Sequence, residues 1–151
     1  MKETRRFLAN MIVLEEETAA HCKRLAQVAL DAGDDELEAF FQSLVETAQL
    51  DVTEALADGI ERKHATFKPT PVSECLLAGP ARQMRTGYSA LLGVHCAVSC
   101  ALALVRRNHG YYASIGASAK DAGLRSCASG FERERAGHIS ALEHWILRLT
   151  T

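Results

Sequence analysis

Four ionisable residues fall at positions that helical periodicity assigns to the interior of the protein. Glu15 interrupts an apolar stripe early in the chain, and Asp51 touches a second stripe. Arg135 and His138 interrupt another stripe near the C-terminus. Two carboxylates and an imidazole could hold a single iron, manganese or zinc ion. A guanidinium among them would instead bind the carboxylates through directed hydrogen bonds, so the residue types leave two kinds of site open.

The apolar residues around these four positions recur with helical spacing in four segments. Gly33 and Gly116 suit helix C-termini, and Asp35 with Glu38 suits the start of the second helix. No alternation of β-branched residues indicates a strand, so an all-α protein is expected. The predicted helices cover residues 4–32, 35–63 and 89–115, and a fourth opens with a capping arrangement of Ser118 and Asp121.

The connection between the second and third helices is predicted to be long. Proline residues in Phe67–Pro71 break the helical pattern, and the next helix begins only after about Thr86. Such a connection is typical of bundles whose third helix must start at the far end. The expected architecture is a single domain over residues 1–151, an up-down-down-up four-helix bundle with a long crossover between helices 2 and 3.

Bulk composition argues against several classes of partner. The chain has 17 basic and 19 acidic residues, which gives no reason to expect a nucleic acid. Residues 86–105 lack charged side chains, but their small and polar residues favour a buried bundle helix over a membrane span. The five cysteines form no C-x-x-C motif and follow no signal peptide, so a cytoplasmic protein is expected, with the cysteines as small apolar residues.

The C-terminal half carries a recognisable pair of segments. Tyr111-Tyr112 lies in one helix, and Phe131 to Trp145, which includes Arg135 and His138, forms the next. An aromatic pair followed by such a helix resembles the rubrerythrin-type family of the ferritin-like superfamily, and the likeness covers most of the chain except the crossover. The resemblance implies a di-iron or di-manganese centre built from a Glu on each of two helices and a Glu-x-x-His from each of the others.

The positions that match the family's ligands are only partly occupied by ligand residues. They are Glu15 on the first helix, Ala48 and Asp51 on the second, Val105 on the third, and Arg135 and His138 on the fourth. No Asp or Glu occurs between Glu74 and Asp121, so the third helix cannot supply a carboxylate in any register. The resemblance also places Tyr112 beside the site. A register that uses Glu46 and Gln49 puts both on the outer face.

Ala48, Val105 and Arg135 stand where the resembled family has metal ligands, and this leads to a main hypothesis and an alternative for the site. In the main hypothesis Arg135 stands where the metal stood, in a buried ion network with Glu15, Asp51 and His138, and no cofactor is bound. The alternative is a mononuclear iron, manganese or zinc site made by Glu15, Asp51 and His138.

Three functional classes follow from these hypotheses. A metal-free binding, interaction or scaffold protein is favoured, with a homodimer or another protein as the partner. The second class is a metal-dependent oxidase, peroxidase or iron-handling protein. The third is a carrier of a small ligand in the bundle interior.

Other clusters are given structural interpretations. His95, Cys96 and Cys100 are interpreted as packing residues of a close helix pair. Arg106-Arg107 is interpreted as part of a solvated helix face, and neither His21 nor His64 has an evident partner. No glycine-rich phosphate loop or serine nucleophile motif occurs.

Overall fold

A computed structural model of the chain describes residues 2–66 and 87–150, with the side chains of 2–66 and 93–149. Within these ranges the chain forms four long helices and no strand, which confirms the all-α prediction. The predicted helix break at residues 67–71 and Cys75 lie outside the described residues. The helices are α1 (Lys2–Asp31), α2 (Asp35–Ala57), α3 (Gly87–Ser118) and α4 (Ala122–Thr150), with a 3₁₀ turn at Arg62–His64.

The N-cap of α2 is Asp34, one residue before the predicted cap. The Asp34 carboxylate accepts a hydrogen bond from the Leu37 backbone N–H at 3.1 Å. Gly33 precedes it with a φ of 76°, a left-handed conformation that glycine adopts without strain. Asp35 therefore lies inside the first turn, where its charge favours the helix dipole but caps no N–H.

The predicted end of α2 at Lys63 is wrong, because the helix stops at Ala57. Gly59 adopts a φ of 83°, and the Ile60 backbone N–H donates to the Ala55 carbonyl at 3.1 Å. This left-handed turn reverses the chain and buries Ile60 in the core.

The predicted cap of α4 at Ser118 is also wrong. Ser118 is the last residue of α3, and its hydroxyl donates to the Ser114 carbonyl at 2.8 Å. Helix α3 therefore continues past Gly116. Asp121 begins α4, since its carboxylate accepts the Leu124 N–H at 2.8 Å.

Contacts between the helices fix the direction of each. Phe7 stacks on Tyr111 with ring centroids 5.7 Å apart, and Asn108 donates to Thr18 at 2.8 Å, so α3 runs antiparallel to α1. Short turns make α1 and α2, and likewise α3 and α4, antiparallel neighbours. The bundle is therefore up-down-down-up, which confirms the predicted topology.

The apolar interior is divided into two clusters with a polar layer between them. The upper cluster, at the end that holds the α1–α2 turn, includes Leu25, Leu37, Phe41, Val98 and Leu142. The lower cluster includes Phe7, Met11, Ile12, Val52, Tyr112 and Ala128. The polar layer consists of Glu15, Thr18, Asp51, Asn108 and Arg135.

The charge-poor stretch of α3 lies in the core over its described part. Val94, Val98, Ala101 and Val105 are each less than 5% exposed. None of the helices in the described parts of the chain has a stretch long and apolar enough to cross a membrane.

Candidate functional site

Arg135 occupies the centre of the bundle at 2% exposure and binds carboxylates from two other helices. Its Nη2 lies 2.8 Å from Asp51 Oδ2 and 3.2 Å from Glu15 Oε1. Its Nε donates to Glu15 Oε2 at 3.4 Å, and its Nη1 contacts the carboxylate of Glu134 one residue earlier. Each of the three guanidinium nitrogens thus has an acidic partner.

Helix α3 supplies no carboxylate, but it supplies two donors to Glu15. Tyr112 donates from its hydroxyl to Glu15 Oε2, and Asn108 Nδ2 donates to the same oxygen at 3.2 Å. Asn108 Nδ2 also donates to Thr18 Oγ1 at 2.8 Å, and Thr18 donates onward to the Leu14 carbonyl. The 1% exposed Glu15 carboxylate is therefore held from α3 and α4 together.

Burial and the neighbouring charges set the protonation states of this centre. Burial opposes the charge of Arg135, but the Glu15 carboxylate outweighs it with the help of Asp51, so the pKa of Arg135 lies above its ordinary value. Burial raises the pKa of Asp51, and its hydrogen bond to Arg135 opposes that shift. Burial and then Glu15 raise the pKa of Tyr112 well above its ordinary value, which keeps the phenol as a donor.

His138 lies beside the network without joining it. It lines a small cavity of about 10 Å³ together with Glu15 and Arg135, but it makes no hydrogen bond to Glu15, Asp51 or Arg135. Burial and then Arg135 lower the pKa of His138 to about 4, so its ring is neutral at pH 7. The structure therefore brings together three of the four predicted network residues and places His138 at their edge.

The residues at the centre do not fit a two-metal site. Ala48 and Val105 line the same cavity as His138 with apolar side chains. The two interior carboxylates face a guanidinium, which would repel a dication. Among the residues that the structure describes, no three His, Cys, Asp or Glu side chains converge as a metal-binding group.

The network extends to the surface through residues whose role the sequence did not reveal. Arg107 donates to Asn108 Oδ1 at 3.2 Å and to Glu17 at 3.0 Å, so its interpretation as a solvated side chain is wrong. His21 Nε2 lies 3.6 Å from Glu17, which gives His21 the partner that the sequence did not. Burial, and then Arg24, lower the pKa of His21. The one sequence feature that could have indicated this network is the occurrence of polar residues within the apolar stripes of α1 and α3.

The described cysteines and the His109–Glu132 pair make no hydrogen bond to Arg135 or to the carboxylates that it binds. Burial raises the pKa of Cys22 to about 12 and that of Cys100 to about 11, so both thiols stay protonated at pH 7. Protonated thiols are poor metal ligands and poor nucleophiles, as expected for packing residues. His109 contacts Glu132 at 2.9 Å and links α3 to α4 near the surface.

The fold and this centre together define a four-helix bundle with a buried arginine paired to carboxylates of two other helices. The fold is similar to that of an uncharacterised conserved protein from Magnetospirillum magnetotacticum MS-1, known from a crystal structure. The two share 22% sequence identity with a TM-score of 0.67, over 95% of this chain and 93% of the other. No protein-family model matches the sequence, and no curated protein matches it significantly.

Proposed function

We propose that this protein is a ferritin-like, rubrerythrin-type bundle that has lost the di-iron site and acts as a metal-free binding, interaction or scaffold protein. The observation that supports this proposal is the position of Arg135. Its guanidinium binds Glu15 and Asp51, the carboxylates that match ligand positions of the resembled family.

The charge balance makes exchange of Arg135 for a metal unfavourable. A dication between Glu15 and Asp51 would leave the guanidinium buried without its partners, and an unpaired buried charge costs several kcal/mol. Apolar side chains at Ala48 and Val105 offer no replacement ligand. Protein side chains therefore fill the interior of the bundle around Arg135, which favours a structural role for Arg135 and the carboxylates that it binds.

Metal content is the direct test of this proposal. Protein purified without chelator should contain less than about a tenth of an equivalent of iron, manganese or zinc, since no set of three potential ligands converges among the residues that the structure describes. Anaerobic titration with ferrous iron, Mn²⁺ and Zn²⁺ should give no saturable heat of binding. A full equivalent of any of them in the parent protein would overturn the proposal.

A pair of variants tests whether Arg135 itself excludes the metal. Arg135→Glu creates a Glu-x-x-His sequence with His138 and adds a carboxylate facing Glu15 and Asp51, so metal uptake should rise. Arg133→Glu adds the same charge at an exposed position of α4 and should leave metal uptake unchanged. Peroxide consumption by the parent with added ferrous iron should equal that of iron alone, and clear turnover would favour the redox alternative.

A binding or scaffold role also requires a partner, for which we propose a second copy of the chain. Leu50 and Leu147 are 58% and 63% exposed on the outer surfaces of α2 and α4. Light scattering after size-exclusion chromatography should give the mass of a dimer, and a monomer at every concentration would direct the search to other proteins.

A further inference from the structure

A basic pocket lies between the first turns of α1 and the segment 62–66, which contains the 3₁₀ turn. Its volume is about 370 Å³, within the range of small-molecule sites. The described residues that line it are Lys2, Arg5, Arg6, His64 and Thr66, and no acidic residue is among them. None of these residues belongs to the polar layer. The pocket is therefore a concentration of positive charge separate from the centre of the bundle.

Helical spacing brings the three cations of α1 together. Arg5 and Arg6 lie three and four residues after Lys2, so each is a neighbour of Lys2 on the helix surface, with Cβ atoms about 5–6 Å apart. All three side chains line the same pocket. Like charges at this spacing repel one another, and an anion in the pocket would relieve that repulsion.

The acidic residues of the same two segments do not form ion pairs with these cations. Glu61 is paired with Lys63 at 3.0 Å, and Glu16 is paired with Arg62. Glu3 lines a neighbouring cavity instead. Within the described ranges 2–66 and 87–150, the three cations of α1 make no ion pair at all. Their charges are thus available to an anionic ligand.

Two sets of hydrogen bonds hold the segment 62–66 against α1. Asn10, at 3% exposure, donates to Thr66 Oγ1 at 3.2 Å and accepts the Thr66 backbone N–H at 2.8 Å. Arg62 donates to both carboxylate oxygens of Glu16, at 2.8 and 2.6 Å. Because the Thr66 oxygen acts as acceptor for Asn10, its hydroxyl proton can be donated to a ligand. The pocket is therefore formed before any ligand arrives, which lowers the entropy cost of binding.

We propose that this pocket binds the phosphate group of a small organic phosphate monoester. Arg5 and Arg6 offer guanidinium groups, whose planar set of donors matches phosphate oxygens, and Lys2 adds a third charge. A phosphate monoester carries nearly two negative charges at pH 7, so it neutralises three cations better than a singly charged carboxylate does. This inference goes beyond the proposed function, because it neither requires nor excludes a metal-free centre at Arg135.

Calorimetric titration with glycerol 3-phosphate tests the proposal, with glycerate as a carboxylate of similar size. The parent should bind one glycerol 3-phosphate saturably and bind glycerate about tenfold more weakly. Arg5→Gln and Arg6→Gln should each weaken glycerol 3-phosphate binding by about fivefold to tenfold. Both residues are exposed, so the folded state should be preserved, as circular dichroism can verify.

Arg133→Gln is the matched control, because it removes the same charge from an exposed position of α4. It should bind glycerol 3-phosphate as the parent does. No saturable binding, equal affinity for glycerate, or an equal loss of affinity in Arg133→Gln would each overturn the proposal.

Vesicles of phosphatidylcholine and phosphatidic acid present the same phosphate chemistry on a membrane. Sedimentation with these vesicles, without binding of glycerol 3-phosphate in solution, would also overturn the proposal, because the ligand would then be a lipid surface. None of these results bears on the metal content. A stoichiometric metal would overturn the proposed function and leave this pocket unaffected.

Discussion

Arg135 is the residue on which the interior of the bundle depends. A guanidinium taken out of water loses several kcal/mol of hydration, and only well-placed acceptors recover it. Glu15 and Asp51 provide these acceptors from α1 and α2, while Glu134 provides one at the more exposed side. Tyr112 and Phe131 add ring faces 5.8 and 5.9 Å from the guanidinium carbon. The cation is thus enclosed by partners of suitable charge.

Replacement of Arg135 alone should be strongly destabilising. Arg135→Leu leaves the carboxyl group of Glu15 without its cation at 1% exposure, so the free energy of unfolding should fall by about 3–5 kcal/mol in urea denaturation. Arg133→Leu, at an exposed position of the same helix, should change it by less than about 0.5 kcal/mol. Replacement of Glu15, Asp51 and Arg135 together by apolar residues should be tolerated better than Arg135→Leu. Equal stability of Arg135→Leu and the parent would contradict this account of the centre.

The neutral ring of His138 should make stability depend on pH. The pKa of His138 is about 4 in the folded protein against 6.5 ordinarily, so the unfolded chain binds a proton first as the pH falls. Stability should therefore decrease from pH 6.5 to pH 4, by on the order of 1–2 kcal/mol after allowance for partial exposure. His138→Gln should remove that part of the decrease in melting curves, while His144→Gln at an exposed position should not.

Helical periodicity was sufficient to place Glu15, Asp51 and Arg135 inside the bundle. It could not show that Asn108 and Tyr112 donate to Glu15, because these pairs are separated by 93 and 97 residues. Such contacts depend on the axial alignment of α3 with α1, which no local pattern in the sequence determines.

At the scale of helices, the ends are set by a few local hydrogen bonds. Adjacent aspartates at 34 and 35 compete for the N-cap of α2, and the left-handed Gly33 places the first of them in capping geometry. The end of α2 was missed for a similar reason, since the turn at Gly59 interrupts a sequence that remains compatible with a helix. Helical patterns identify the segments, but backbone geometry selects their boundaries.

Asp34→Ala and Asp35→Ala should therefore differ. Loss of the Asp34 cap leaves the Leu37 N–H without its acceptor, so the free energy of unfolding should decrease by about 1 kcal/mol. Asp35→Ala removes only a favourable interaction with the helix dipole, worth about 0.3–1 kcal/mol at low salt and less at high salt. Chemical denaturation in high salt should separate the two, and a larger loss for Asp35→Ala would contradict the cap assignment.

At the scale of the whole molecule, the topology was predictable and the division of the core was not. Four amphipathic segments and a long second connection imply an up-down-down-up bundle. The polar layer that separates the upper and lower clusters could not be predicted, because it depends on how the four helices are aligned along their axes. Each long helix passes through both clusters, so we expect the bundle to unfold as one cooperative unit.

Met11→Ala tests that cooperativity. Met11 is fully buried in the lower cluster, and its truncation should cost about 2–5 kcal/mol. Trp145, the one tryptophan, packs against the upper cluster, so its fluorescence reports the opposite half of the bundle. Thermal unfolding followed by tryptophan fluorescence and by circular dichroism should shift by the same amount. A shift seen by circular dichroism alone would mean that the two halves unfold separately.

The polar layer has a further consequence for how the helices are aligned along their axes. An interface of apolar side chains alone tolerates a shift of one helix along its axis, because one methyl group can replace another at little cost in free energy. An axial shift of α4 by one turn, about 5.4 Å, would move Arg135 away from Glu15 and Asp51. All three groups would then be buried without their ion-pair partners. The polar layer thus favours a single axial register of α4 against α1 and α2, in the way that a buried polar residue fixes the register of a coiled coil.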